Sequence, residues 1–304
     1  MTDTALRQLL QNALTEDIPY GDITTDLTVM RDLGVSARLI SKDDGIFYGQ
    51  EIILGIFNLI DPDTKIKMNC ANGQKIQNGT VICDIQGCLS CILKAERVML
   101  NFVQRLSGVA TTTRAFVDGL NDPAAAVLDT RKTTPLMRSL EKKAVLAGGG
   151  VNHRFGLSDM VLIKENHVSA LEEQGQIHSL AERIQKFKKQ NPEIAVELEI
   201  EALNQMDTLP IQDVDIIMFD NFSLSDIKKG IEMCRSRGIK AKIEVSGNIT
   251  LETIGNYAGL GIDRISVGRL THSVRALDLT LLISDKMGQS IGAEHVDHSV
   301  IKEK

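Results

Sequence analysis

The chain has 304 residues, with 34 Lys+Arg against 40 Asp+Glu and a formal net charge of −6 with His neutral. That balance excludes a nucleic-acid binder held by bulk charge, because neutralising phosphates requires a basic surface. With 43% hydrophobic and 24% charged residues the chain is globular, and its length predicts two domains or one barrel with an appendage, since single cores stop growing at roughly 250–300 residues.

The first residues lead directly into an amphipathic pattern (Leu6, Leu9, Leu10, Ala13, Leu14) that predicts a helix over about residues 3–15. No basic flank and apolar centre of a signal peptide precede it, so a cytoplasmic protein is expected. Runs at Ser36–Ile40 and Val81–Ile85 predict strands, and Asp43-Asp44-Gly45 and Asn78-Gly79 predict turns. The longest mostly apolar run, Ile52 to Ile60, is interrupted by Gly55 and Asn58 and is about half a bilayer span, so no membrane segment is expected. Cys88-Leu89-Ser90-Cys91 has redox or zinc spacing, but no second pair or His cluster of suitable spacing accompanies it. The five cysteines are therefore read as structural thiols and not as a disulfide framework. From Ser90 to Leu106 the apolar residues Leu93, Val98, Leu100, Phe102, Val103 and Leu106 recur at helical spacing until Ser107-Gly108 breaks the pattern. These elements form an amino-terminal α+β domain over residues 1–107.

Beyond it, β-rich runs at Ala125–Thr130, Met160–Ile163, Ile194–Ile200, Val214–Phe219, Ala241–Val245 and Ile262–Val267 alternate with helical stretches. Six strands alternating with helices predict right-handed βαβ units and a parallel sheet or barrel over residues 108–274. The chain turns polar after Leu282, and a loosely held end is expected; segment 275–304 is assigned to the first domain. His295 and His298 in that tail are metal-like only in residue type.

In Val196-Glu197-Leu198-Glu199-Ile200-Glu201, apolar residues face one side of a strand and carboxylates the other. Lys240, Lys242, Glu244 and Ser246 repeat the arrangement, Val127, Asp129 and Arg131 more weakly, and Lys164 and Asp220 each end an apolar strand. A strand covered by helices on both faces reads as continuously apolar, so the charges belong inside a barrel. The plainer alternative is a set of buried ion pairs with the site elsewhere. Against it, the charges cluster at the carboxyl ends of successive strands, where such barrels build their sites.

Arg131, Lys132, His153, Arg154 and Lys164 place five potential cations within 34 residues of an acidic protein, which suggests a strongly anionic ligand. The Gly148-Gly149-Gly150 turn reads either as a phosphate cradle or as a helix C-terminus. Glu199 and Asp220 end consecutive strands and, facing one another across the barrel mouth, suit Mg²⁺ on a phosphorylated substrate. Ser246, Gly247 and Asn248, with Ser266, Gly268 and His272, follow the last two strands, where loops bind phosphate.

The runs LDTRKTTP (128–135), GGGVNHRFGLSDMVLIKENH (148–167), FDNF (219–222), EVSGNITLETIGNYAGLGID (244–263) and SVGRLTHS (266–273), with EDIPYGDITTD (16–26) and ERVMLNFVQRLSGVAT (96–111), resemble the quinolinate phosphoribosyltransferase family. The resemblance implies an α/β fold of the type II phosphoribosyltransferase kind, an incomplete parallel α/β barrel with an amino-terminal sandwich domain. It implies transfer of phosphoribosyl from 5-phosphoribosyl 1-pyrophosphate to quinolinate with loss of CO₂ in NAD biosynthesis, with Mg²⁺ as cofactor. It also implies a homodimer, with assembly beyond the dimer left open, in which Arg105 is lent to the neighbouring site. Arg131, His153 and Arg154 would grip the quinolinate carboxylates. Lys132 and Lys164 would lie where quinolinate joins the donor, and Glu199 and Asp220 would serve ribose hydroxyls and Mg²⁺. Ser246, Gly247, Gly268 and His272 would surround the 5-phosphate. Leu136 stands where the family has a glycine after TRKTTP, and Arg269 where it often has a small residue.

Two other readings stay open on the residues. One is an aldolase using Lys164 as a Schiff-base nucleophile; the other is a molybdenum-locus relative or non-catalytic binder of a phosphorylated ligand.

Overall fold

The computed structural model describes residues 2–29 and 33–284, so His295 and His298 lie outside the described residues. The chain divides into two units, Gly108–Arg275 and a second made of Met1–Ser107 together with the chain from Ala276 onward.

In the amino-terminal unit, α1 (Asp3–Asp17) starts at Thr2, whose hydroxyl accepts the Ala5 N–H at 3.3 Å, and buries Leu10 and Leu14. Asp22 caps α2 (Ile23–Thr28) by accepting the N–H groups of Thr24 and Thr25. Strand β1 (Gly34–Ser41) is followed by β2 (Gly45–Ile46), α3 (Gln50–Ile60), β3 (Lys65–Met68), β4 (Lys75–Ile76) and β5 (Val81–Cys88). The apolar run at 52–60 is α3, which buries Ile52, Ile53, Ile56 and Phe57.

Helix α4 (Leu89–Leu120) runs straight through Ser107-Gly108, where the sequence pattern suggested a break. Both residues meet tertiary demands. The buried Ser107 hydroxyl accepts the Tyr48 N–H at 3.0 Å and donates to Tyr48 O at 3.1 Å. A Cβ at Gly108 would come within 2.3 Å of Arg275 O.

The second unit alternates β6 (Ala126–Leu128), α5 (Arg138–Ala147), β7 (Val161–Ile163), α6 (Glu165–Glu173), α7 (Leu180–Gln190), β8 (Val196–Ile200), α8 (Gln205–Thr208), β9 (Ile216–Asp220), α9 (Leu224–Ser236), β10 (Lys242–Ser246), β11 (Arg264–Ser266) and α10 (Arg269–His272). All six runs read from the sequence are strands. They form one parallel sheet in the order β6-β11-β10-β9-β8-β7. The first strand therefore pairs with the last, which curls the sheet toward closure, and β6 and β7 remain its unjoined edges. Val151 alone continues beyond β6, bridging Leu128 and giving its N–H to Val127 O at 2.8 Å. This is an incomplete α/β barrel. The chain then returns to the first unit as β12 (Leu279–Ser284), completing an antiparallel sheet of order β12-β1-β5-β3.

All five residues of β8 are buried, the glutamates included. Glu197 and Glu244 are 0% exposed and Glu199 4%, as expected for charges enclosed by a barrel. Lys240, Lys242 and Glu201 are exposed and stand outside this interior. The glycine triplet is a helix end: Gly148 follows α5, and a Cβ at Gly150 would lie 2.7 Å from Thr113 Cγ2 of α4.

Candidate active site

At the carboxyl ends of the parallel strands lies a cavity of about 390 Å³. The chain after β6 supplies Thr130, Arg131 and Lys132, the loop beyond Val151 supplies His153 and Arg154, and β7 supplies Leu162 and, just past its end, Lys164. Glu199 comes from β8, Met218 and Asp220 from β9, Ser246 from β10 and Ser266 from β11. Each strand aims alternate side chains inward, so one turn of sequence per strand builds a continuous polar wall.

Beneath this wall sits a buried network. The Arg154 N–H lies 2.7 Å from His153 Nδ1, and Nε2 lies 3.1 Å from Glu197 Oε2 and 3.3 Å from Glu244 Oε1. Arg264 Nε lies 2.5 Å from Glu244 Oε2, and the Ser266 hydroxyl donates to Glu244 Oε1. Burial pushes the Glu197 carboxyl up. Burial also opposes ionisation of Glu244, but His153, Arg264 and Ser266 outweigh it and hold Glu244 below the usual range. For His153, burial disfavours the charge and the two glutamates more than restore it, raising the imidazole above its ordinary value.

Above the network the cations are exposed to the cavity. Neither the Arg131 nor the Lys132 side chain has a hydrogen-bond or ion-pair partner among the described residues. Burial, then the neighbouring Arg131 charge, depress Arg154, and both side chains line the cavity. Arg154 Nη1 donates to Met160 O at 3.2 Å, which fixes its reach. Like charges held together in a cleft form a site for a multiply charged anion. In the same cavity, Lys164 Nζ lies 2.5 Å from Glu199 Oε2. Burial pushes Glu199 up to about 7 against the pull of Lys164, helped by a hydrogen bond with Glu165 and by the charge of Asp220.

Nine residues singled out from the sequence thus share one cavity: Arg131, Lys132, His153, Arg154, Lys164, Glu199, Asp220, Ser246 and Ser266. Gly268 and His272 stand behind Lys132: a Cβ at Gly268 would lie 3.0 Å from the His272 ring and 3.1 Å from Lys132 Cδ. The Thr271 hydroxyl donates to Lys132 O at 2.7 Å. Gly247 and Asn248 line a different cavity of about 310 Å³ with Asn221 and Phe222. Arg105 lies on α4 in the amino-terminal unit and is not among the residues that line the 390 Å³ cavity. Glu199 and Asp220 are on adjacent strands, side by side along the rim, and do not face one another across the mouth.

Thr130, Leu162 and Met218 were missed. A count of two back from Lys164 and Asp220 reaches Leu162 and Met218, so alternation contained that signal. Lys142 carried none, because a lysine in a helix ordinarily reads as solvated.

Residues 22–107 match the family model described as quinolinate phosphoribosyl transferase, N-terminal domain, and residues 109–282 the model of its C-terminal domain. The chain belongs to the quinolinate phosphoribosyl transferase family. Among relatives of this quinolinate phosphoribosyl transferase family member is the probable nicotinate-nucleotide pyrophosphorylase [carboxylating] of Bacillus subtilis, 38% identical over 282 residues, covering 92% of this chain and 94% of that protein. The nicotinate-nucleotide pyrophosphorylase [carboxylating] of Mycobacterium leprae is 36% identical over 280 residues, covering 91% and 96%. The crystal structure of NadC from Streptococcus pyogenes superposes with a TM-score of 0.85 at 36% identity, covering 94% of this chain and 99% of that one.

Proposed function

We propose that this phosphoribosyltransferase transfers the phosphoribosyl group of 5-phosphoribosyl 1-pyrophosphate to quinolinate and releases pyrophosphate and CO₂, giving nicotinate mononucleotide. The observation that carries this reading is one cavity lined by Arg131, Lys132 and Arg154 together with Lys164, Glu199 and Asp220, in a chain of this family. A dicarboxylate pairs with the guanidiniums, and the ring nitrogen, adjacent to the carbon that bears one carboxylate, is directed to the donor held at Lys164, Glu199 and Asp220. The direct test incubates purified protein with quinolinate, 5-phosphoribosyl 1-pyrophosphate and Mg²⁺ and measures all three products. A folded chain that forms none of them overturns the assignment.

The chemistry follows from charge. The ring nitrogen forms a bond to the anomeric carbon as the bond to pyrophosphate oxygen breaks, through a transition state of oxocarbenium character. Glu199 and Asp220 lie where carboxylates stabilise that positive charge and hold ribose hydroxyls, while Lys132 and Lys164 hold the anionic groups at the junction. Once the nitrogen carries ribose the ring is cationic. The adjacent carboxylate then leaves as CO₂, its bonding pair stays on the ring carbon stabilised by the pyridinium, and a proton replaces it. A ligand lacking the second carboxylate covers the guanidiniums and leaves one of them unpaired, which costs about 1–3 kcal/mol.

The oxygen-only donors of Glu199 and Asp220 at the cavity rim fit Mg²⁺, which prefers one or two carboxylates together with substrate phosphates. Bound there, the ion would supply positive charge beside the departing pyrophosphate. Ser246, Ser266, Gly268 and His272 are assigned to the 5-phosphate, with Gly247 and Asn248 shaping the neighbouring loop. Arg105 is assigned to the site of a second subunit in a homodimer, and the protein to the cytoplasm; among the described residues no helix is long and apolar enough to cross a membrane. The aldolase alternative is disfavoured by the Glu199 carboxylate 2.5 Å from Lys164, which stabilises the ammonium and not the free amine that attacks a carbonyl.

A further inference from the structure

The chain's five cysteines are not equivalent. Cys70, Cys83 and Cys234 are buried, whereas Cys88 and Cys91 are partly accessible. Cys88 is the last residue of β5 and Cys91 lies in the first turn of α4, a helix of 32 residues. The Ser90 hydroxyl is 3.2 Å from Cys88 Sγ. The hydroxyl thus meets a thiol placed immediately before a long helix, at its positive end, the arrangement that stabilises a thiolate. Cys88 immediately precedes the helix and Cys91 is its third residue, a spacing that sets Cα atoms about 5 Å apart where the first turn is regular, inside the 4.4–6.8 Å or so that a disulfide spans.

We propose that Cys88-Leu89-Ser90-Cys91 is a thiol–disulfide exchange site for low-molecular-weight disulfides, with Cys88 the attacking sulfur and Cys91 the resolving one. The Cys88 thiolate attacks one sulfur of the small disulfide, forming a mixed disulfide and expelling one small thiolate. Cys91 gives up its proton and attacks Cys88 Sγ, which closes the Cys88–Cys91 bond and expels the second. Two protein thiols are oxidised, one disulfide is reduced to two thiols, and no other oxidant is needed.

The asymmetry between the sulfurs agrees with these roles. The Ser90 hydroxyl holds Cys88 below the usual thiol range, against its burial. Burial, then the charges of Cys88 and Asp61, push Cys91 up. A cavity of about 490 Å³ lined by Leu54, Phe57, Asn58, Asp61, Pro62 and Thr64 adjoins this turn, since a Cβ at Gly87 would lie 2.8 Å from Thr64 Oγ1. It offers room for the groups flanking the small disulfide.

The test equilibrates the full chain in glutathione and glutathione disulfide at several ratios, quenches with acid, alkylates free thiols and maps the cysteines by mass spectrometry. Under oxidising ratios the peptide holding Cys88 and Cys91 should lose two hydrogens, escape alkylation and recover both thiols with excess dithiothreitol. The Cys91→Ser chain should retain one glutathionyl group on Cys88, and the Cys88→Ser chain should carry none on Cys91. Full alkylation of both cysteines at every ratio in natively folded wild-type protein overturns the proposal, and needs no variant. Capture at Cys91 in the Cys88→Ser chain, or a glutathionyl group that persists on wild-type Cys88 without ring closure, overturns the assigned roles. The readout is the thiol state, so it is independent of phosphoribosyl transfer.

Discussion

Asp129 and Lys142 form an ion pair with side chains 0% and 3% exposed, and together they hold both backbone groups of His153. Asp129 Oδ1 accepts the His153 N–H at 2.9 Å, and Lys142 Nζ donates to His153 O at 2.9 Å. Asn152, with its amide oriented so that nitrogen faces these oxygens, donates to Asp129 Oδ2 at 2.6 Å and Lys142 O at 3.0 Å. The pair connects β6 to α5 and sets the direction in which His153 and Arg154 enter the cavity.

Removing one partner strands a buried charge, which costs about 3–5 kcal/mol. Lys142→Met should lose that much stability in urea unfolding, and its KM for quinolinate should rise with Arg154 released. Asp129→Asn combined with Lys142→Met leaves no uncompensated charge. The double variant should be more stable than the two single losses predict, a non-additivity that a double-mutant cycle reads directly.

Glu199 makes opposite predictions for stability and rate. Burial raises its folded pKa from 4.5 to about 7, so as pH climbs through that window the unfolded chain loses the proton first and folding loses stability. The ionised form is the one that pairs with Lys164 and serves the substrate, so kcat/KM should rise with pH through about 7. Glu199→Gln should flatten both curves and lower kcat/KM on the alkaline plateau by roughly 10²-fold or more. An ascending limb unchanged in this variant would assign the titration to another group.

Leu136 adopts φ 65° and is 82% exposed, at the position where the family resemblance has glycine. A left-handed backbone costs a residue with a Cβ about 1–2 kcal/mol, and an exposed side chain has little packing to offset it. Leu136→Gly should therefore raise stability by about 0.5–1 kcal/mol after the entropy that glycine loses on folding, measured as an increased urea midpoint at constant slope.

The lending of Arg105 between subunits has its own readout. Arg105→Ala and Lys164→Ala chains should each be inactive alone, and mixed after reversible dissociation they should recover roughly a quarter of wild-type activity, because in an isologous dimer half the molecules are hybrids with one intact site. No recovery in verified hybrids places Arg105 in its own subunit's site.

The six strands of the second unit and the charged interior of the barrel were legible from residue order alone, because alternation and helical spacing are local and a parallel strand with a charged face has few places to go. The cations at the ends of those strands followed by the same logic. Ser107-Gly108 read as a stop and is helix interior, since the Tyr48 and Arg275 backbones it accommodates lie far away in sequence. Lys142, to which spacing along the helix gave no signal, is buried on Asp129. Glu199 and Asp220 read as opposed and stand side by side. In each case the deciding partner comes from another element, which spacing along one element does not reveal. Sequence determined which residues are charged and which face they share; tertiary packing decided which charges are neutralised internally and which are left to meet a ligand.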